Sequence, residues 1–207
     1  AGGNHNFYAW ASASAGATVS EWTASKVAVF DANSRISLSN NDAGGTGGED
    51  STSGNTLFGY LSGAAIASGG TNNTAIGHKA LNANTVGDNN IAIGVNSMVD
   101  ANLEAIDGNV CVGNNTGGSF GTVGVYGTTL IGNSAGSSIN AAAAFGTTCV
   151  GQSAGTSISS GEGNTAVGYP ALDASTNSDF STAIGANALS AQTGTAGTVG
   201  NTAVGKD

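Results

Sequence analysis

The sequence predicts an all-β chain folded as a parallel β-solenoid of about nine short coils, 17–20 residues each. Three observations predict it: a five-residue motif present nine times, a Gly closing every copy, and a composition rich in Val, Ile, Thr and Gly with only 8% charged residues. An ordinary globular domain carries about 25% charged residues and about 7% Gly, whereas 35 of these 207 residues are Gly. A disordered chain would be charge-rich and poor in β-branched residues. Neither description fits.

The copies run from Asn55-Thr-Leu-Phe-Gly59 through Asn73-Thr-Ala-Ile-Gly77 to Asn201-Thr-Ala-Val-Gly205. Their closing residues are Gly59, Gly77, Gly94, Gly113, Gly132, Gly151, Gly168, Gly185 and Gly205, spaced 18, 17, 19, 19, 19, 17, 17 and 20 residues apart. The first position is Asn, Thr or Ser, a turn former expected to bond to local backbone. The second is β-branched in every copy and the third is Ala, Cys or Leu. The fourth is Phe58, Ile76, Ile93, Val112, Ile131, Val150, Val167, Ile184 or Val204. Such a run closed by Gly reads as a short strand buried on both faces. The fourth column is expected to line one core face and the third to face the other way. The Gly is expected to supply a positive φ or a close backbone approach.

A second short strand is expected after each Gly. Its third residue is small, and the next is Gly in four coils (Gly63, Gly117, Gly136, Gly155) and Leu or Met in four others (Leu81, Met98, Leu172, Leu189). That pattern suits a thin core. The remaining Ser/Thr/Asn/Gly-rich stretches are loops that absorb the variation in period. Strands stacked about 4.8 Å apart give a rod roughly 40 Å long, stabilised coil against coil. No helix longer than about two turns is expected in 55–205, the Ala141–Ala144 run included. Because a thin isolated roll exposes apolar surface, a homotrimer is expected.

Residues 1–54 differ from the repeats and read as a neck or cap, with 55–207 as the solenoid, truncated mid-repeat. Phe7, Tyr8, Trp10 and Trp22 concentrate there, and Lys26–Phe30 and Arg35–Leu38 flank Asp31–Ser34 as a β-hairpin would. Residues 40–54 form a Gly/Ser/Asp-rich connector. The chain starts at Ala1 rather than Met, which reads as a piece of something longer.

Acidic residues outnumber basic ones 13 to 4, and the basic set is Lys26, Arg35, Lys79 and Lys206. Neutralising phosphates requires clustered Lys or Arg, so nucleic acid is excluded as a partner, as is an anionic membrane surface. No apolar run is long enough to span a bilayer. His5 and His78 have no motif partner, so no nucleophile–base pair can be nominated and no enzyme is expected. Gly44–Asp50 faintly resembles a calcium-binding nonapeptide but occurs once, and it reads as a solvated connector. No metal or cofactor is expected. The Asn72-Asn-Thr and Asn114-Asn-Thr sequons coincide with the turn chemistry of the repeat.

The second-column Thr residues would stack as a ladder. Thr ladders occur on ice-binding solenoids, but here the residue two places on is Ile, Val or Phe on the same face, which makes the ladder a buried packing feature. Cys111 and Cys149 share the third column two coils apart, about 9–10 Å along the rod, too far for a disulfide. Both are expected to be buried and reduced. Surface recognition falls to the irregular loops: Leu103–Ile106, Phe120–Tyr126, Ala141–Phe145 and Phe180. Phe120, Tyr126, Phe145 and Phe180 could stack on sugars, or could seal edges and chain–chain contacts.

Copies such as Asn73-Thr-Ala-Ile-Gly-His-Lys-Ala-Leu81 and Asn164-Thr-Ala-Val-Gly-Tyr-Pro-Ala-Leu172 resemble the head repeats of YadA-like trimeric autotransporter adhesins. They look still more like the longer repeats of phage tail fibres that end in an endosialidase-type intramolecular chaperone. The resemblance covers residues 55–205. It implies a left-handed parallel β-roll, three chains wound side by side, on a virion or cell surface, with no catalytic residues in this part. The adhesin heads have a shorter coil than this chain, which favours a fibre. The expected function is thus an extracellular tail-fibre shaft or head supporting host attachment through a glycan or protein receptor. The alternatives are a bacterial adhesin head binding matrix or glycan, and a self-assembling extracellular filament subunit.

Overall fold

The computed structural model describes residues 7–8, 26–30, 36–38, 54–66, 70–101, 106–121, 124–140, 144–193, 197–198 and 200–206. The chain divides into two units, Ala1–Thr52 and Ser53–Asp207. In the first, β1 (Phe7–Tyr8), β2 (Lys26–Phe30) and β3 (Ile36–Leu38) form an antiparallel sheet in that order. Val29 opposes Ser37 and Phe30 opposes Ile36 in the β2–β3 pair. His5, Trp10, Trp22, the Asp31–Ser34 turn and the Gly44–Asp50 connector lie outside the described residues.

The second unit is a parallel β-solenoid whose main sheet holds nine strands, one from each copy of the motif. They are β4 (Thr56–Phe58), β5 (Thr74–Ile76), β6 (Ile91–Ile93), β7 (Val110–Val112), β8 (Thr129–Ile131), β9 (Thr148–Val150), β10 (Thr165–Val167), β12 (Thr182–Ile184) and β14 (Thr202–Val204). Each pairs with the next copy in exact column register: Val110 with Thr129, Cys111 with Leu130, Val112 with Ile131. Two further short strands, β11 (Ser178–Asp179) and β13 (Gly197–Thr198), pair in parallel at a corner. There is no α-helix among the described residues. Ala141 to Ala143 lie outside them.

Register is fixed by the buried first column. Asn109 illustrates it. Its Oδ1 accepts the Thr128 backbone N–H at 3.0 Å and the Thr128 hydroxyl at 2.9 Å, and its Nδ2 donates to the Val125 carbonyl at 2.7 Å. All three groups belong to the next coil. Asn55, Asn73, Asn90 and Asn164 repeat the arrangement toward their own next coils. The expectation that these residues bond locally is therefore corrected: the side chain reaches across the gap between coils, where a buried amide has backbone partners in fixed positions.

The closing Gly column enforces the spacing. Gly113 has a φ of 143°, and a Cβ there would lie 2.5 Å from the carbonyl oxygen of Gly132 in the next coil. Any side chain would push the coils apart.

The segment after each closing Gly is a turn, not the second strand expected from the sequence. Its fourth residue takes left-handed φ in all eight turns and its second in seven, Pro170 being the exception, as at Lys79 (54°) and Leu81 (53°). Those two N–H groups consequently point in opposite directions along the stack. Lys79 donates back to Tyr60 and Leu81 donates forward to Ser97, each at 2.9 Å. The ladder between coils continues, but without strand geometry.

This turn solves a volume problem in the core. Where the fourth turn residue is Gly, the third-column residue is Leu57, Cys111, Leu130 or Cys149, and an apolar residue (Ile66, Phe120, Ile139 or Ile158) fills in three places later. A Cβ on Gly136 would sit 2.7 Å from Leu130 Cδ2 and 2.9 Å from Ile139 Cδ1. Where that residue is Leu81, Met98, Leu172 or Leu189, the third column is Ala and the later position is Asn84, Ala101, Ser175 or Gln192. These four long side chains hold φ between 51° and 53°, a conformation that costs roughly 1–2 kcal/mol for a residue bearing a Cβ. Leu81, Met98 and Leu172 are fully buried, and burying such a side chain returns about 1.5–3 kcal/mol.

The volume trade gives a direct expectation. Gly136→Leu alone should overpack the coil and destabilise it by about 1–3 kcal/mol or more. The triple variant L130A/G136L/I139S, which copies the Ala166/Leu172/Ser175 coil, should recover most of that loss in urea denaturation. A triple variant no more stable than the single one would count against the volume pairing. The thiols give a second expectation. Cys111 and Cys149 are buried and free, separated in register by Leu130. Burial pushes the Cys149 thiol up to about 12 and raises Cys111 as well, the neighbouring Cys149 adding to the latter. Both folded values exceed the unfolded value of about 8.5, so the unfolded chain loses these protons first. Their contribution is full below that pH and falls by about 1.4 kcal/mol per thiol per pH unit above it. Stability of the native chain should therefore drop more steeply between pH 9 and 11 than that of C111A/C149A. Equal slopes would mean that the thiols ionise in the folded state.

Candidate functional site: an outward strand face and an aromatic corner

With three residues per strand, alternation sends the middle side chain to one face and its two neighbours to the other, and it is the middle one, the third column of the motif, that enters the roll. Ala75, Ala92, Cys111, Leu130, Cys149, Ala166 and Ala183 are all fully buried. The expected core column is thereby corrected: Phe58, Ile76, Ile93, Val112, Ile131, Val150, Val167, Ile184 and Val204 are half-buried or exposed and share the outward face with the second column. Phe58 is 62% exposed, Ile131 40% and Val204 74%. Alternation turns the two residues flanking the buried third column to the pleat's other side, and the long side chains that fill the roll come instead from the turns, as Leu81, Met98 and Phe120 do.

The Thr ladder is corrected in the same way. Thr74, Thr129, Thr148, Thr165 and Thr182 are half-buried on the outer surface, not packed inside. Both outward columns together carry no charged residue over nine rungs. Thr, Ile and Val alternate with the core column at each rung, in register from β4 to β14.

The expected recognition aromatics separate. Phe120 is fully buried and belongs to the core, because the Gly117 turn leaves a gap that its ring fills. Tyr126, Phe145 and Phe180 are 42%, 48% and 50% exposed. Tyr126 and Phe145 stand two residues before the first column, in successive coils, and Phe180 stands one residue before it. Gly127 N donates to Asp107 O, Gly146 N to Tyr126 O and Gly163 N to Phe145 O, at 3.1–3.2 Å, so this corner is stacked in register too. Of the loop runs that accompany them, Leu103 to Ala105 lie outside the described residues.

Sequence reasoning missed this corner as a column. Its acidic members were legible only as scattered charges. Asp88 Oδ1 accepts the Thr71 N–H and hydroxyl at 2.6 and 2.9 Å, Asp107 Oδ1 the Asp88 N–H at 2.7 Å, and Asp179 Oδ1 the Glu162 N–H at 3.0 Å. Each carboxylate caps the coil before it. The signal that could have found them is the residue after each, which takes left-handed φ in every coil and is usually Gly or Asn. On the far side of the strands, His78 stacks on Tyr60 with ring centres 5.6 Å apart, an exposed surface pair. Among the described residues no group of three or more His, Cys, Asp and Glu is placed to hold a metal ion. No helix among them is long and apolar enough to cross a membrane.

No protein-family model, curated protein or solved structure matches this chain, so its function has to be read from its own residues.

Proposed function

We propose that the chain is a structural segment of a trimeric fibre, in the manner of a phage tail-fibre shaft or head, that supports attachment to a host surface. The observation that carries this reading is the outward strand face. It is an uncharged, largely β-branched stripe as long as the solenoid, which one chain alone leaves in water. A continuous exposed apolar patch of this kind marks an interaction surface. A stripe repeating at every rung is complementary to another copy of itself, and no charge on it opposes that contact. Three copies is the number implied by the resemblance to YadA-type and tail-fibre repeats. The function is then mechanical: inter-coil hydrogen bonds and Asn bridges make a stiff spacer, and the loops and corners stay outside for recognition. A bacterial adhesin head would share this architecture.

A second reading is favoured by the Thr column. Outward Thr residues in seven of nine strands, regularly spaced with aliphatic neighbours, could order water as ice-binding solenoids do. The two readings need the same face, so oligomeric state separates them.

Light scattering at micromolar concentration should give three times the chain mass of residues 1–207. Ile131→Lys with Val150→Lys should convert it to a folded monomer, because each buried unpaired ammonium costs several kcal/mol at an interface, whereas the lone chain leaves both positions wet. A wild-type monomer would overturn the trimer. If that monomer also shapes ice crystals and shows thermal hysteresis that Thr148→Lys abolishes, the second reading holds. A wild-type trimer with no effect on ice growth removes it.

A further inference from the structure

We propose that the corner carrying Tyr126 and Phe145 is a binding strip for an extended neutral polysaccharide. The inference deepens the attachment reading and rests on it for the ligand's setting, but its geometry belongs to a single chain.

The strip has a floor, a wall and two ends. The floor is a track of glycines, Gly108, Gly127, Gly146 and Gly163, one from each of four successive coils. A Cβ placed on any of the first three would meet nothing within 4 Å, so the space above them is open. The wall is the neighbouring column, where Tyr126 and Phe145 occupy the two middle coils. The Tyr126 ring lies along Gly124, whose missing side chain gives it room, and this holds the ring against the corner. One end is closed by Phe180, whose ring lies over Gly163 within 2.7 Å of where a Cβ would be.

Chemistry selects the ligand. Two half-exposed aromatic residues stand on successive rungs, whose backbones lie about 4.8 Å apart, comparable to the length of one sugar unit in an extended chain. An aromatic face takes the C–H face of a pyranose, as it takes other apolar surfaces, while leaving hydroxyls free. Those hydroxyls find acceptors at both ends of the wall. The Glu162 carboxylate accepts no hydrogen bond among the described residues, and Asp107 engages only Oδ1, in capping Asp88. Hydrogen bonds from hydroxyls to carboxylates are the strong kind. Among the described residues of the solenoid no cation lies on this corner, and the chain carries a net charge of −9, so a polyanionic glycan would be repelled. Between acidic and neutral polysaccharides, the neutral ones are therefore the class that fits.

The test is retardation of the whole chain, in its native oligomeric state, by neutral polysaccharides: a mixed-linkage β-glucan, a galactomannan and a chitin-type oligomer, with alginate as the polyanion. At least one neutral polymer is expected to bind, and alginate is not. Tyr126→Ala and Phe145→Ala should each weaken binding at least about threefold and together at least tenfold. Phe145→Tyr should keep it, and Tyr60→Ala, an exposed aromatic in another column, should change nothing. Light scattering on the same variants separates the two proposals. If Y126A/F145A alters the oligomeric state, the strip is a chain–chain contact and the inference fails. If the chain proves monomeric yet binding still depends on both rings, the strip stands while the trimer falls. Absence of binding to every neutral polymer, or binding indifferent to both rings, overturns the strip.

Discussion

The buried amide of the first column is the interaction on which the rest of this structure depends. A parallel strand of three residues makes too few hydrogen bonds to hold its register alone, and slippage by one residue would turn every side chain to the opposite face. Asn73, Asn90 and Asn109 remove that freedom. Each Oδ1 accepts the first N–H of the next rung, and each Nδ2 reaches a carbonyl at the next corner. Both ends of the amide are satisfied only when adjacent coils are aligned column on column. Leaving such a group unpaired in the interior costs roughly 1–3 kcal/mol, so misregister is penalised at every Asn rung. Where Thr147 replaces Asn, its hydroxyl still donates to Gly161 of the next coil, at 3.2 Å.

The other columns follow from that alignment. Because closing glycines stack directly, their backbones approach to a distance no Cβ would allow, and the coils can close at β-sheet spacing around a narrow interior. Because the interior is narrow, each coil accepts a fixed volume divided among three positions. Leu130 with Gly136 and Ile139 is one solution, and Ala166 with Leu172 and Ser175 is another. Loop length is free to vary, since residues beyond these positions need not enter the core.

This explains what could be read from the sequence and what could not. The period, the nine short strands and their parallel stacking were legible because a Gly and a β-branched run recur at nearly constant spacing. Alternation also placed the second and fourth columns on one face. It could not say which face was inside, and the preference for burying Ile and Val over Ala pointed the wrong way. The turns decide: the long side chains that fill the interior come from them, and a small third-column residue such as Ala75 or Cys111 leaves the room that Leu81 or Phe120 takes. The turn after each Gly was illegible for a different reason. Leu81 and Met98 at positive φ contradict local preference, and only the space left by Ala75 and Ala92 makes those conformers favourable. Phe120 was misplaced as a surface residue because its role depends on Gly117, three positions earlier, lacking a side chain.

Column stacking also accounts for the composition. In an ordinary globule a surface charge has neighbours of mixed type, but here a side chain in an inner strand rung has its counterpart one rung above and one below. Two like charges about 4 Å apart repel by about 1 kcal/mol even in water, and a column of nine would add that at each step. The outward strand columns accordingly hold no charge at all. Acidic residues are tolerated in the corner column only in short runs, Asp88 with Asp107 and Glu162 with Asp179. There an aspartate oxygen accepts a backbone N–H from the coil before it, which offsets the repulsion. Tyr126 and Phe145 interrupt the acids between those runs. The low charge that first set this chain apart from globular proteins is thus a consequence of its register. So is the uncharged outward face, which leaves apolar contact as the means by which a partner can meet it.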